Sequence, residues 1–352
     1  MASQETKILD NIIASRRALL LGGGAALAAI AMPSAAKAAS TVTAYGDTDI
    51  LNFALNLEYL EANFYYLAAF GTNISTANSL YPTGAMVQGI TGLGTQGTVT
   101  VKANPKVPFT SLAVASYAVE TAVEEGKHVA FLRSALGSLA VAQPQIDLTG
   151  GTGYGATAAF NTLFSAAAGV TGATFDPFAS DANFLIGAYI FEDVGVTAYH
   201  GAAPLFTTGT TGKGYLAAAA GILAVEAYHA GLVRTTINSV DNGIVFPAVP
   251  AGTLTTYTNL ISALRAKLSL AALSTAPNPD DFGLSSGTLS VSLAGGANVN
   301  RTQLVDADPT NIVAFSRNTT QVLNIVTGGG ATNTGTKATG VFFPNGLNGL
   351  FS

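Results

Sequence analysis

The chain has no cysteine. Disulfides, thiolate metal sites and cysteine nucleophiles are therefore excluded. Charge is scarce: Asp, Glu, Lys and Arg make up 10% of the 352 residues, against a usual quarter. No basic run or patch is present, so a nucleic-acid partner is not expected. Beyond the N-terminal region no segment reaches 18 uninterrupted apolar residues, and no membrane span is expected there. The 24-residue stretch Asp47–Phe70 contains no basic residue at all. The chain is nonetheless 49% hydrophobic, enough to fill the core of one large domain or two modest ones, and this is not a disordered composition.

The N-terminus reads as an address. "IIASRRALLLGGGAALAAIAMPSAAKAAS" places a twin arginine, Arg16–Arg17, before an apolar stretch at 18–32 and small residues, with Ala36-Lys37-Ala38 as an A-x-A cleavage site. That stretch is short for a membrane span; an uncleaved anchor is the alternative. The expectation is a twin-arginine signal at 1–38, export through the twin-arginine machinery, and a periplasmic or secreted protein. Without it the chain keeps 11 basic and 18 acidic residues.

The rest is dominated by helical periodicity. Asp47–Phe70 opens with acidic residues that suit a helix N-terminus. A long Gly/Thr/Ser-rich loop follows at 71–110, with a small hairpin expected near 98–102. Further helices are expected at 111–139, 156–168 (shorter), 181–205, 214–240 and 254–273. Asp308-Pro309 has the form of an N-cap and first-turn proline, predicting a helix over 310–326. The end, "GVFFPNGLNGLF", carries a Phe cluster that should pack on the helical body, because exposed clusters of Phe are a liability.

The seven glutamates beyond the signal are Glu58, Glu61, Glu120, Glu124, Glu125, Glu192 and Glu226. All fall in four long helical patterns, and so do His128, His200 and His229. Two His stand three residues after a Glu, in "EGKH" (Glu125, His128) and "EAYH" (Glu226, His229). Positions i and i+3 are one turn apart on one helix face, so both side chains can reach one ion. The other two helices match each other as well: Glu58 precedes Tyr65 by seven residues, and Glu192 precedes Tyr199 by seven. The order Glu…Tyr, E-x-x-H, Glu…Tyr, E-x-x-H is an internal repeat of helix pairs, 47–139 against 181–240. Four carboxylates converging in a dry core would repel one another and be desolvated. Two divalent cations remove the problem, and oxygen and imidazole donors without thiolate suit Fe, Mn or Zn.

This constellation resembles the ferritin-like superfamily of carboxylate-bridged di-metal four-helix bundles: one Glu from each of two helices and a Glu-x-x-His from each of the other two. More narrowly, "DILNFALNLEYLEANFY", the twin-arginine signal, the "NPDDFG" turn and the "FFPNG" end are similar to the secreted ferritin-like family that includes plant desiccation-related proteins. The resemblance implies a mainly α fold: an up-down four-helix bundle at 39–240, with a long loop between its first and second helices. A mixed, loop-rich C-terminal extension at 241–352 packs on it. The metal residues are expected to be Glu58, Glu125 and His128 on one side and Glu192, Glu226 and His229 on the other, with one or two glutamates bridging.

Around them, Glu61 lies about 60° from Glu58 and could supplement it, although the matching position in the third helix is Gly195. Tyr65 and Tyr199 are either core aromatics or partners of the carboxylates. Glu124 should face the surface or Lys127, Glu120 should be solvated, and His200 should sit hydrogen-bonded at the bundle rim. Two functions are compatible with this reading. One is a centre holding two iron or manganese ions and reacting with O₂ or peroxide as an oxidase, peroxidase or catalase-like scavenger in oxidative or desiccation stress. The other is a structural or stress-protective envelope protein whose metal merely holds the fold or is lost. The bulk of the loop and tail argues against storage in a ferritin cage.

Overall fold

A computed structural model describes residues 45–76, 89–241, 252–271, 279–292, 298–330 and 338–351. The signal expected at 1–38 and residues 77–88 of the long loop lie outside the described residues. Seven α-helices are found among those described: α1 (Asp47–Phe70), α2 (Leu112–Leu136), α3 (Ala159–Ala168), α4 (Asp181–Ala202), α5 (Thr210–Asp241), α6 (Thr253–Ala271) and α7 (Thr319–Val326). The chain is mainly α, as expected.

Local chemistry sets the helix ends. The Gly46 N–H donates to Asp49 Oδ2 at 2.9 Å, and Asp47 and Asp49 place negative charge at the positive end of α1. Gly71 closes α1 in the left-handed region at φ 77°, where a side chain would be strained. Ser111 and Ser180 cap α2 and α4, accepting from the N–H groups of Val114 and Asn183 at 3.3 and 3.2 Å.

α1 and α4 are buried almost all round, whereas α2 and α5 each keep a solvated face. A helix that is apolar on every side belongs in the middle of a fold, and α1 and α4 form that middle. α5 has the length and composition of a membrane span, but Glu226, His229 and Arg234 on it are buried against the other helices. Cross-contacts fix the directions. Asn52, Tyr59 and Tyr66 of α1 meet Leu139, Arg133 and Gly126 in turn, so α1 and α2 are antiparallel. Tyr189 and Gly195 of α4 meet Arg234 and Glu226 of α5, so this pair is antiparallel too. Within each pair the chain runs up and down. Between the pairs, residues 137–180 return it to the start of α2, where Asp181 accepts from the N–H groups of Thr110 and Ser111 at 2.9 and 3.1 Å.

Two expectations need correction. Residues 98–102 form no hairpin: β1 (Val99–Thr100) pairs in parallel with β2 (Ile146–Asp147). Gly97 lies so close to the Pro144–Gln145 backbone that a β-carbon there would overlap it. The partner strand comes from beyond α2, and local alternation carries no sign of it. Nor does a helix begin at Asp308. Asp308 Oδ1 accepts from the N–H groups of Thr310 and Asn311 at 3.1 and 2.8 Å, closing a single turn, and Ile312 then takes φ 55°, which a β-branched residue tolerates poorly. The helix α7 begins at Thr319, capped reciprocally by Asn318 and Gln321. The intervening chain is extended because Arg317 is bound elsewhere: its N–H donates to Thr197 O at 3.0 Å. Later, β3 (Ser285–Ser292) and β4 (Asn298–Gln303) pair antiparallel.

The C-terminal extension packs on the bundle. The Phe342 ring lies 5.2 Å from Phe160 and 5.0 Å from Phe191, and the Phe351 ring lies 5.3 Å from Phe53. Asn348 and Asn56 exchange hydrogen bonds of 3.0 and 2.9 Å. Gly201 of α4 sits so near the Arg317 backbone that a β-carbon would overlap its carbonyl oxygen. Backbone on both sides leaves nothing flexible to move. Gly201→Ala is therefore expected to lower stability by about 1–3 kcal/mol, read as a lower urea midpoint; an unchanged midpoint would show that the segment carrying Arg317 can shift freely.

Candidate metal centre

The bundle brings all six expected residues together. α1 supplies Glu58, α2 Glu125 and His128, α4 Glu192, and α5 Glu226 and His229, and every one is buried. Their donor atoms form two groups. One atom from each of Glu58, Glu125, His128 and Glu226 lies within 4.8 Å of the others, and so does one from each of Glu125, Glu192 and His229. Glu125 belongs to both. The partition differs from the expected one: Glu226 Oε1 is 3.6 Å from His128 Nδ1, which places Glu226 with Glu58 rather than with Glu192. A helix phase read alone cannot say which neighbour a side chain at the middle of a bundle leans toward.

The geometry is that of lone pairs pointing inward. Glu58 Oε2, both oxygens of Glu125, Glu192 Oε2, both oxygens of Glu226 and the Nδ1 atoms of His128 and His229 are buried without a hydrogen-bond partner. Some are close: Glu125 Oε1 and His229 Nδ1 are 3.0 Å apart, and Glu58 Oε2 and His128 Nδ1 are 3.3 Å apart, yet neither pair has hydrogen-bond alignment. Buried polar atoms are nearly always partnered. Eight orphans drawn from these six residues and facing one another fit a bound cation.

The surroundings hold the carboxylates in place. Tyr65 of α1 donates to Glu192 Oε1, and Tyr199 of α4 donates to Glu58 Oε1. The two bonds are reciprocal across the α1–α4 contact, and each leaves the other oxygen of its glutamate free to face the centre. Of the two roles open to these tyrosines, the geometry selects partners of the carboxylates. Gly195 shows why the repeat is imperfect: it occupies the position matching Glu61, and a β-carbon there would overlap Glu226 Oε2.

Without metal the cluster is electrostatically frustrated. Burial pushes Glu58 up to about 7, against the pull of His128. Burial, with the charges of Glu125, Glu61, Glu58 and Glu192, drives Glu226 well above the carboxylate range. Burial and the same kind of neighbours raise Glu61. At Glu125 burial opposes ionisation, but His128 and His229 outweigh it and hold its pKa below the usual carboxylate value. Burial disfavours the charged form of His128, yet Glu58 and Glu125 push it up to about 12.

Three residues complete the picture. His200 lies at the rim, its Nδ1 3.1 Å from Phe315 O, and Glu120 is exposed, both as expected. Glu124 keeps an exposed edge as expected, its side chain 37% exposed, but it also has a partner that was not expected: its Oε2 lies 2.7 Å from His229 Nε2. It reaches across from α2 and fixes the ring of a histidine on α5. The only trace in sequence was an adjacent acidic pair, Glu124–Glu125, in a chain poor in charge. The equivalent position on α5 is Val225, so His128 has no such support from the repeat.

The family model described as the ferritin-like domain matches residues 46–239, more than half of the chain. The chain is also 33% identical over 223 residues to the desiccation-related protein PCC13-62 of Craterostigma plantagineum, a stretch covering 63% of this chain and 62% of that protein. It thus spans less than two thirds of that relative's length. No solved structure matches the chain.

Proposed function

Because this chain belongs to the ferritin-like domain family, we propose that it is an exported protein holding two divalent ions, iron or manganese, that react with O₂ or peroxide in oxidative or desiccation stress. The observation that carries the reading is the set of eight unpartnered donor atoms on Glu58, Glu125, His128, Glu192, Glu226 and His229. Two overlapping groups that share Glu125 favour two ions, and Glu125 would be the carboxylate common to both. The N/O donor set without thiolate favours iron or manganese, with zinc as competitor. The name of the relative supports the link to desiccation.

When bound, such ions supply the redox chemistry or Lewis acidity toward an oxidant. The chain's own residues do the rest. Tyr65 and Tyr199 orient Glu192 and Glu58, and Glu124 fixes the ring of His229. The apolar residues of α1 and α4 keep bulk water from the cluster, which strengthens every charge interaction within it.

The test is to load the purified full chain anaerobically with Fe²⁺ or Mn²⁺, measure metal by mass spectrometry, and add O₂ or peroxide. Two ions per chain and consumption of oxidant are expected. A loaded but inert protein would leave the metal a structural role, and no bound metal would overturn the reading. Glu124→Ala should weaken one of the two ions by about 10–100-fold and spare the other, giving a biphasic metal titration where the wild type is tighter; parallel weakening of both would contradict the placement of Glu124. Export rests on Arg16–Arg17: replacing both with Lys should retain the protein in the cytoplasm, as read by cell fractionation, and unchanged export would exclude the twin-arginine route.

A further inference from the structure

Beside the carboxylate cluster lies a cavity of ≈ 20 Å³. Its inner wall is the bundle, including Leu60 of α1 and Phe191 and Val194 of α4. Its outer wall is the C-terminal extension, including Leu264 of α6, Val326 of α7 and Phe342. The outer wall lies beyond the residues matched by the ferritin-like domain model, 46–239.

The polar side chains in the lining are Glu61 and Arg265. Arg265 is committed elsewhere: its guanidinium donates to Tyr189 O, Asp193 and Asp281 at 2.7–2.8 Å. Glu61 stands one helical turn from Glu58, is buried, and feels Glu125, Glu192 and Glu58. It therefore marks the boundary between cavity and cluster.

Size and lining define the occupant. A cavity needs roughly 10–15 Å³ to admit one water-sized molecule, and a water held there needs two to four polar partners. This cavity admits one such molecule, and its walls, almost wholly apolar, offer a water too few partners. Apolar cavities stay dry and take up apolar guests, xenon among them.

We propose that this cavity binds a single small apolar gas molecule of the dioxygen class and supplies it to the centre past Glu61. The supply role rests on the oxidant reaction proposed above, whereas the binding site does not. Crystals of the metal-free full chain pressurised with xenon should show one xenon atom between Phe191, Leu264 and Phe342. Leu264→Phe should remove it, and Val326→Ile, a milder filling, should reduce its occupancy. With iron-loaded protein in stopped flow, both variants should slow oxidation by O₂ several-fold and leave the rate with peroxide and the metal content unchanged. Absence of xenon from the wild type, or its persistence at the same place in Leu264→Phe, would overturn the site. Xenon binding as expected with an unchanged O₂ rate would overturn the supply role. A wild type that ignores O₂ would overturn the oxidant reaction and the supply role together, and xenon would still decide whether the cavity is a gas site.

Discussion

Glu226→Gln should make the metal-free protein more stable and the metal-loaded protein less stable than the wild type. Glu226 is fully buried, and neither of its oxygens has a hydrogen-bond partner. Burial and four neighbouring carboxylates raise its pKa well above the usual 4.5. A carboxyl whose folded pKa exceeds its unfolded one costs stability above the unfolded value and costs nothing below it, where both states carry the proton. The amide has nearly the same shape and no ionisation to suppress, so the variant should gain about 1–3 kcal/mol at neutral pH. The gain should shrink as the pH falls from neutrality toward 4.5 and be absent below it. With metal at about a thousand times its dissociation constant, the wild type gains ~4 kcal/mol per site, and the variant, having lost a charged donor, gains much less. Urea melts of both proteins in chelator and in Mn²⁺ should therefore cross over. A variant less stable in chelator would show that Glu226 is held by the fold rather than by a cation.

The second large effect is expected away from the centre. Arg265→Ala should destabilise the protein by about 3–5 kcal/mol. The Arg265 guanidinium is buried and holds Asp193 of α4 and Asp281 of the "NPDDFG" turn, each at 2.8 Å. Arg234 reaches Asp193 at 2.7 Å and Arg317 reaches Asp281 at 2.9 Å, so the network ties the extension to α4 and α5. Removal of Arg265 leaves two buried carboxylates short of a partner, and that loss exceeds the worth of the pair itself. Lys would not substitute, because a single ammonium cannot bridge two carboxylates and a carbonyl with planar geometry. Burial works against ionisation of Asp281, but Arg265 and Arg317 outweigh it and hold the pKa below the usual 3.8. Its contribution is in place above that value and is lost as the pH falls through the depressed one. Denaturant midpoints at neutral pH should show the full loss; a change below about 1 kcal/mol, the range of surface ion pairs, would mean that the network is incidental.

The centre was legible in the sequence to the extent that it lies on helix faces. Glu125 with His128 and Glu226 with His229 are one turn apart, and helical geometry alone brings each pair to one side. The seven-residue spacing from Glu58 to Tyr65 and from Glu192 to Tyr199 does the same, and these tyrosines meet the opposite glutamates across the α1–α4 contact. Contacts that depend on how helices lean were not legible: Glu226 grouping with Glu58, and Glu124 reaching His229 from another helix. Pairing partners distant in sequence were hidden for the same reason, as with Val99–Thr100 and Ile146–Asp147. Asp308-Pro309 carries a good helix-start signal, but the tertiary binding of Arg317 overrides it. The three arginines that fasten the extension gave no pattern, because their acidic partners lie on other elements.

Anomalous scattering from crystals of the Mn²⁺- or Fe²⁺-loaded full chain tests the two-ion centre without recourse to activity. Two peaks about 3.5–4 Å apart are expected, enclosed by Glu58, Glu125, His128, Glu192, Glu226 and His229, and no peak there in the Glu125→Ala/His229→Ala double variant. An empty wild-type cluster, or peaks elsewhere in the chain, would contradict it.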